Sequence, residues 1–184
     1  MRIVVSGTHA SGKSTLVSDV AGSLGSTQLG DPFEWVDEDE PAGASSFVRQ
    51  LAVAAERLTE LPPGSDVVAE RGPVDFLAYL AALADLGRGS VAPGLLAALR
   101  ATTAEAMAHV DLLVVLPLDP RDGIRVPDDE DPELREAMDG HLLDLSEDDE
   151  LVGGVGSVVE VSGPPEQRLA RVLDAVERAE RGAG

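Results

Sequence analysis

Cysteine is absent from the 184 residues, which removes disulfides, thiolate nucleophiles and cysteine-based metal sites from consideration. Lysine is nearly absent: of 14 basic residues 13 are arginine, and Lys13 stands alone. Aromatic side chains are scarce, with three Phe, one Tyr and one Trp. No apolar run approaches the roughly 18 residues that span a bilayer. The chain enters a strand at once, without the charged and apolar regions of a leader, so the expected location is the cytoplasm. Bases are also few, 14 against 34 acids for a formal charge of -20. Such a field argues against a nucleic-acid backbone or an anionic membrane as partner. The acid excess reads first as a soluble surface, with attraction of a cationic substrate as the alternative. Length and the lack of a Gly/Ser/Pro linker or internal repeat predict one domain over residues 1–184.

Against that background one stretch stands out. Gly7-Thr8-His9-Ala10-Ser11-Gly12-Lys13-Ser14 follows the β-branched run Ile3-Val4-Val5 and precedes Thr15-Leu16-Val17. It satisfies G-x-x-x-x-G-K-[ST] in the required order of strand, loop and helix. Glycines let a backbone turn tightly around an anion, while amide N–H groups and a helix N-terminus supply partial positive charge. The sole lysine falls where a compact ammonium fits between phosphate oxygens and a planar guanidinium is too wide. Gly7 through Thr15 are therefore the candidate phosphate-binding residues, with Ser14 a candidate Mg²⁺ ligand.

The remaining chain alternates strand and helix patterns. A helix from Ser14 to about Leu24 ends at Gly25, and a weak second strand is expected over Thr27 to Val36. Phe47, Leu51, Ala54, Ala55 and Leu58 recur at helical spacing within 44–61. Asp66 to Ala69 is a short strand ending at Glu70-Arg71-Gly72-Pro73, followed by helices over 75–86 and 93–108. The run Asp111 to Pro117 is continuously apolar, as suits a central parallel strand. Residues 119–150 hold 14 acids and three bases, Arg121, Arg125 and Arg135, and read as a mobile cover with a helix over 132–145. A strand at 158–161 and a helix over 166–181 close the chain. This alternation predicts an α/β fold with a parallel sheet and the phosphate site at its carboxyl edge.

Glu70 and Arg71, at the end of a strand beside that site, suit a metal ligand and a phosphate- or acceptor-binding cation. His9 occupies a variable loop position, and His109 and His141 stand alone, so no zinc spacing exists.

The phosphate loop, Asp31-Pro32-Phe33-Glu34-Trp35 and Glu70-Arg71-Gly72-Pro73-Val74-Asp75-Phe76-Leu77-Ala78-Tyr79 together resemble the P-loop small-molecule kinases of the deoxynucleoside kinase and nicotinamide riboside kinase type. The resemblance covers residues 1–80. It implies a three-layer α/β/α sandwich with five parallel strands in the order 2-3-1-4-5, a helical lid over 119–150, and transfer of the γ-phosphate of ATP, with Mg²⁺, to a small-molecule hydroxyl. It implies an acid after the second strand as base, Asp31 or Glu34, and lid arginines on the transferred phosphoryl, Arg121 or Arg125 with Arg135 third. Gly72 departs from the family's E-R-S. The competing readings are a switch ATPase and a nucleotide-binding module without an acceptor. A GTP switch lacks its Asn-Lys-x-Asp motif here, since Lys13 is the only lysine. Monomer and homodimer are both open.

Overall fold

Three short β-branched runs build the centre of the molecule. In the computed structural model, which describes residues 1–35, 43–119, 124, 126 and 130–182, they are strands β1 (Arg2–Ser6), β3 (Val67–Glu70) and β4 (Leu112–Val115). The edges are β2 (Thr27–Leu29) and β5 (Ser157–Glu160). All pairings are parallel, in the order β2-β3-β1-β4-β5. The order is the one the sequence resemblance implies.

Helices α1 (Lys13–Leu24), α2 (Ala44–Thr59), α3 (Pro73–Asp85), α4 (Pro93–Met107), α5 (Pro132–Ser146), α6 (Asp149–Val152) and α7 (Pro165–Gly182) cover both faces. Alternation along the strands divides the core. Ile3, Val5, Val68, Leu112 and Val114 pack against Leu16 and Val20 of α1 and Val172 and Val176 of α7. Val4, Ala69, Leu113 and Val115 face the opposite layer, built from α2 to α6. Gly25 ends α1 at φ +67°, the left-handed cap its position predicts. Among the described residues no helix is long and apolar enough to cross a membrane.

Two expectations are corrected. The second strand ends at Leu29 rather than Val36, and Pro32–Trp35 forms a 3₁₀ turn. Asp31 starts that turn by accepting the Phe33 N–H at 3.0 Å, an alternative hydrogen bond that ends the strand. The second correction concerns the expected mobile cover. Helix α5 lies against α3, with Met138 and Leu142 fully buried. Arg88 pairs with Asp131 and Glu133, and His141 with Asp85, along the same contact. Met138 and Leu142, four apart, anchor this acidic helix, and Leu134, Ala137, Leu143 and Leu145 pack around them. That half of the segment is core, and Arg121 and Arg125 in the other half lie outside the described residues.

Leu142→Ala is therefore expected to cost about 2–5 kcal/mol in denaturant unfolding, as for other buried leucines. A loss below about 0.5 kcal/mol would place α5 on the surface instead.

Candidate phosphate-loop site

Parallel pairing brings the carboxyl ends of the central strands level. Val5 stands opposite Glu70, the Arg71 N–H donates to Val5 O at 3.0 Å, and the Leu116 N–H to Ser6 O at 2.9 Å. From this edge the chain leaves β1, turns through Gly7 to Gly12 and starts α1 at Lys13. A Cβ on Gly7 would lie 2.7 Å from Ser11 Oγ and 3.0 Å from Leu116 O. Gly12 sits at φ +89°, and a Cβ there would meet Arg168 Nη1 at 2.7 Å. Close approach thus favours glycine at position 7, and the left-handed backbone favours it at position 12.

Lys13 folds back over the loop, its ammonium buried and donating to Thr8 O at 2.7 Å. Burial, with Arg71 second, pushes its pKa down to about 7. Ser14 donates from Oγ to Glu70 Oε1 at 2.9 Å. Burial raises the Glu70 carboxyl above its ordinary range, against the opposing pull of Ser14 and Lys13. A hydroxyl and a carboxylate thus sit side by side at the base of the loop. Thr15, exposed on α1, lines the cavity described below, while Thr8 and Ser11 are buried in the loop itself.

On the other side of the loop lies a fully buried arginine. Arg71 has φ +64°, a left-handed conformation that costs a residue with a Cβ about 1–2 kcal/mol. Its contacts hold it there. Nε donates to Asp31 Oδ2 at 2.8 Å, Nη1 donates to Gly7 O at 2.9 Å, and Asp75 Oδ1 lies 3.6 Å from Nη1. Asp75 accepts from Ser6 Oγ at 2.5 Å, the Gly7 N–H at 3.0 Å and the Gly72 N–H at 2.9 Å. Gly72, where the E-R-S pattern of the deoxynucleoside kinases has serine, packs so tightly that a Cβ would lie 2.9 Å from Val4 Cγ1. The departure from E-R-S has a steric cause.

The guanidinium also lies over two rings, 5.1 Å from the Phe33 centroid and 5.6 Å from that of Tyr79. Phe47 stacks on Tyr79 at 4.6 Å, and the His9 ring meets Phe33 edge-on at 5.2 Å. Phe47 and Phe76 are core residues, as their helical spacing predicts. Burial first, then Arg71 and Lys13, push the His9 pKa down to about 4. At neutral pH His9 is an uncharged ring facing the aromatic cluster, with Glu130 3.4 Å from its Nδ1.

Two further arginines hold the loop from outside. Arg135 on α5 donates to His9 O at 2.8 Å and to Ala10 O at 3.2 Å. Arg168 on α7 donates to Ser11 O and Gly163 O, both at 2.6 Å. In a trans peptide the N–H points opposite to the C=O. Cations on carbonyls 9 to 11 therefore turn the N–H groups of residues 10 to 12 to the other side, the arrangement of an anion-binding nest. Next to Arg168 is a cavity of about 160 Å³ whose wall includes Thr15, Leu16, Asp19, Ile124 and Pro165.

Of the residues singled out in sequence, the structure brings together Gly7 to Ser14, Asp31, Glu70 and Arg71. The side chain of Glu34 and all of Arg121 and Arg125 lie outside the described residues. Asp75 and Arg168 carry no assignment from sequence. Arg168 falls four residues before Val172 on the buried stripe of α7, and Asp75 is the one charge in the buried first turn of α3. A charge on an apolar stripe is the signal that marks both.

No protein-family model matches the sequence, and no curated protein does. Solved structures do. Thymidylate kinase from Candida albicans is 17% identical over 97% of this chain and 92% of its own, with a TM-score of 0.69. Deoxyadenosine kinase from M. mycoides is 14% identical over 97% and 99%, also at 0.69. A NadR protein in complex with NR is 20% identical over 97% of this chain and 51% of that one, at 0.65. With its strand order, its Gly7–Ser14 loop and these likenesses, the chain has the fold of the P-loop small-molecule kinases.

Proposed function

We propose that this protein is an ATP-dependent phosphotransferase that moves the γ-phosphoryl group of ATP to a hydroxyl of a small molecule, a nucleoside-like compound or related metabolite. One observation carries the reading. The loop stands between two chemically different sets of side chains, Lys13 with the Ser14–Glu70 pair on one side and Arg71 with Asp31 on the other. A donor-only site has no need of the second set. The likeness of fold to kinases of different acceptors supports the reaction class and leaves the acceptor to the pocket.

In this reading the N–H groups of the loop and Lys13 bind the phosphates. The base of the nucleotide enters the cavity between α1 and α7, where Leu16, Ile124 and Pro165 supply apolar walls. Ser14 and Glu70 are hard oxygen donors and would hold Mg²⁺. When bound, that ion neutralises charge on the phosphates. Among the described residues no three His, Cys, Asp or Glu side chains are grouped to hold a metal by themselves, which suits an ion that arrives with the nucleotide.

The acceptor lies against Phe33 and His9, on the Asp31 side. Asp31 accepts the proton of its hydroxyl as the oxygen bonds to the γ-phosphorus and the bond to the β–γ bridging oxygen breaks. Asp31 is taken as the base because Arg71 orients its carboxylate. Arg135, and Arg121 or Arg125 from the adjoining segment, supply positive charge to the moving phosphoryl.

Two measurements check this. ATP turnover with a panel of hydroxylated acceptors is expected to rise with at least one of them, and Asp31→Asn is expected to lower that turnover about 10²-fold or more while nucleotide affinity stays near wild type. Basal hydrolysis indifferent to every acceptor would instead favour an ATPase. The second concerns protons. Lys13, at about 7 in the free site, is drawn back to its charged form by phosphates. At pH 8, above the nucleotide's own ionisation, binding is expected to take up close to one proton, and affinity to fall as pH rises further. Calorimetry in buffers of different ionisation enthalpy reads this directly, and zero uptake would contradict a lowered pKa for Lys13 in the free site.

A further inference from the structure

Asp75 is the most completely buried carboxylate of the site, with no exposed surface, yet it is not among the groups that transfer a phosphoryl. At the third position of α3, its bond from the Gly72 N–H is ordinary helix capping. Its other contacts are not. The Ser6 hydroxyl and the Gly7 N–H come from 69 and 68 residues away in sequence, and they are the last residue of β1 and the first of the loop. Arg71, which holds both Gly7 O and Asp31, is also within 3.6 Å of Asp75. Gly7 is thus gripped at both ends of its backbone, N–H by Asp75 and C=O by Arg71. Gly7 also has little room to shift, since a Cβ there would lie 2.7 Å from Ser11 Oγ and 3.0 Å from Leu116 O.

We infer that Asp75 is a positioning residue for the phosphate loop: by gripping Ser6 and the Gly7 N–H it sets the angle at which the loop leaves the sheet, and so the aim of the N–H groups that meet the nucleotide phosphates. The inference rests on the proposed phosphate site. Charge-assisted bonds to N–H groups are short and directional, and in this buried setting no water competes for them. The same carboxylate also supplies Arg71 with a second counter-charge, leaving the guanidinium shared between the loop and Asp31 rather than drawn wholly to Asp31. Asparagine at this position fills the same volume, but it has one acceptor oxygen where Asp75 meets donors on both oxygens. One N–H or hydroxyl of the loop entry must then turn away.

The test separates this role from capping. In Asp75→Asn, Mg·ATP affinity by calorimetry is expected to fall about ten-fold or more, as for loss of a hydrogen bond to a charged group. The amide proton of Gly7, read by NMR in the nucleotide-free protein, is expected to move upfield as its carboxylate acceptor is lost. A capping role alone would lower the melting temperature and leave both readings at wild-type values, which would overturn the proposal. Should Asp75→Asn fail to fold, Ser6→Ala removes one grip and leaves the Gly72 cap intact. It is expected to weaken Mg·ATP several-fold and to shift the Gly7 amide, and wild-type values in both would again overturn the proposal. A wild-type protein that binds no Mg·ATP overturns the phosphate site and this role with it, whereas wild-type binding that is unchanged in both variants overturns the role alone.

Discussion

The guanidinium of Arg71 is the constraint on which the arrangement of this molecule's functional edge depends. A buried cation is tolerated only where charges and acceptors surround it, and removing one such partner costs about 3–5 kcal/mol. Here the partners come from three separate stretches: Asp31 after β2, Gly7 at the start of the loop, and Asp75 in α3. Satisfying one side chain therefore joins the second strand, the loop and the third strand in a fixed relation. The left-handed backbone at Arg71 is part of the same bargain, because strain at a functional edge persists only when its surroundings determine it fully.

The loop itself is held by opposing sets of groups. Cationic side chains from the loop, α5 and α7 take the carbonyls of Thr8, His9, Ala10 and Ser11. Asp75 takes the N–H of Gly7 from beneath. A backbone pinned by both sets presents the remaining N–H groups without needing a ligand to shape it, and preorganisation of this kind is where electrostatic binding and catalysis gain most. The overall acidity of the chain makes this local arrangement necessary. With 34 acids against 14 bases, the global field opposes any anion, while Lys13, Arg71, Arg135 and Arg168 are gathered within one loop's reach.

Much of this was legible from residue order. The β-branched runs, the helical stripe of Phe47 to Leu58 and the continuous apolar strand before Pro117 are local patterns, and the elements follow them closely. The loop motif and Glu70-Arg71 are also local, and the sheet brings them together as its parallel order requires. What was not legible depends on contacts between distant segments. Helix α5 reads as acidic cover because only Met138 and Leu142 are strongly apolar at its centre, yet those two face α3 and are fully buried. Asp31 could be read as a turn residue or a site residue, and its two oxygens take different partners, one starting the 3₁₀ turn and the other meeting Arg71. Asp75 and Arg168 gain meaning only when folding places a charge against a backbone 60 or more residues away.

The fork of Arg71 matters beyond its charge, because Nε and Nη1 reach Asp31 and Gly7 separately. Arg71→Lys keeps the charge and loses the fork. The most direct measurement is the rate of γ-phosphoryl transfer by Arg71→Lys in protein shown by circular dichroism to be folded. The expected rate is reduced about 10²-fold, in keeping with loss of orientation at the proposed two-substrate site. A lysine variant that transfers phosphoryl at the wild-type rate would contradict this role of the fork.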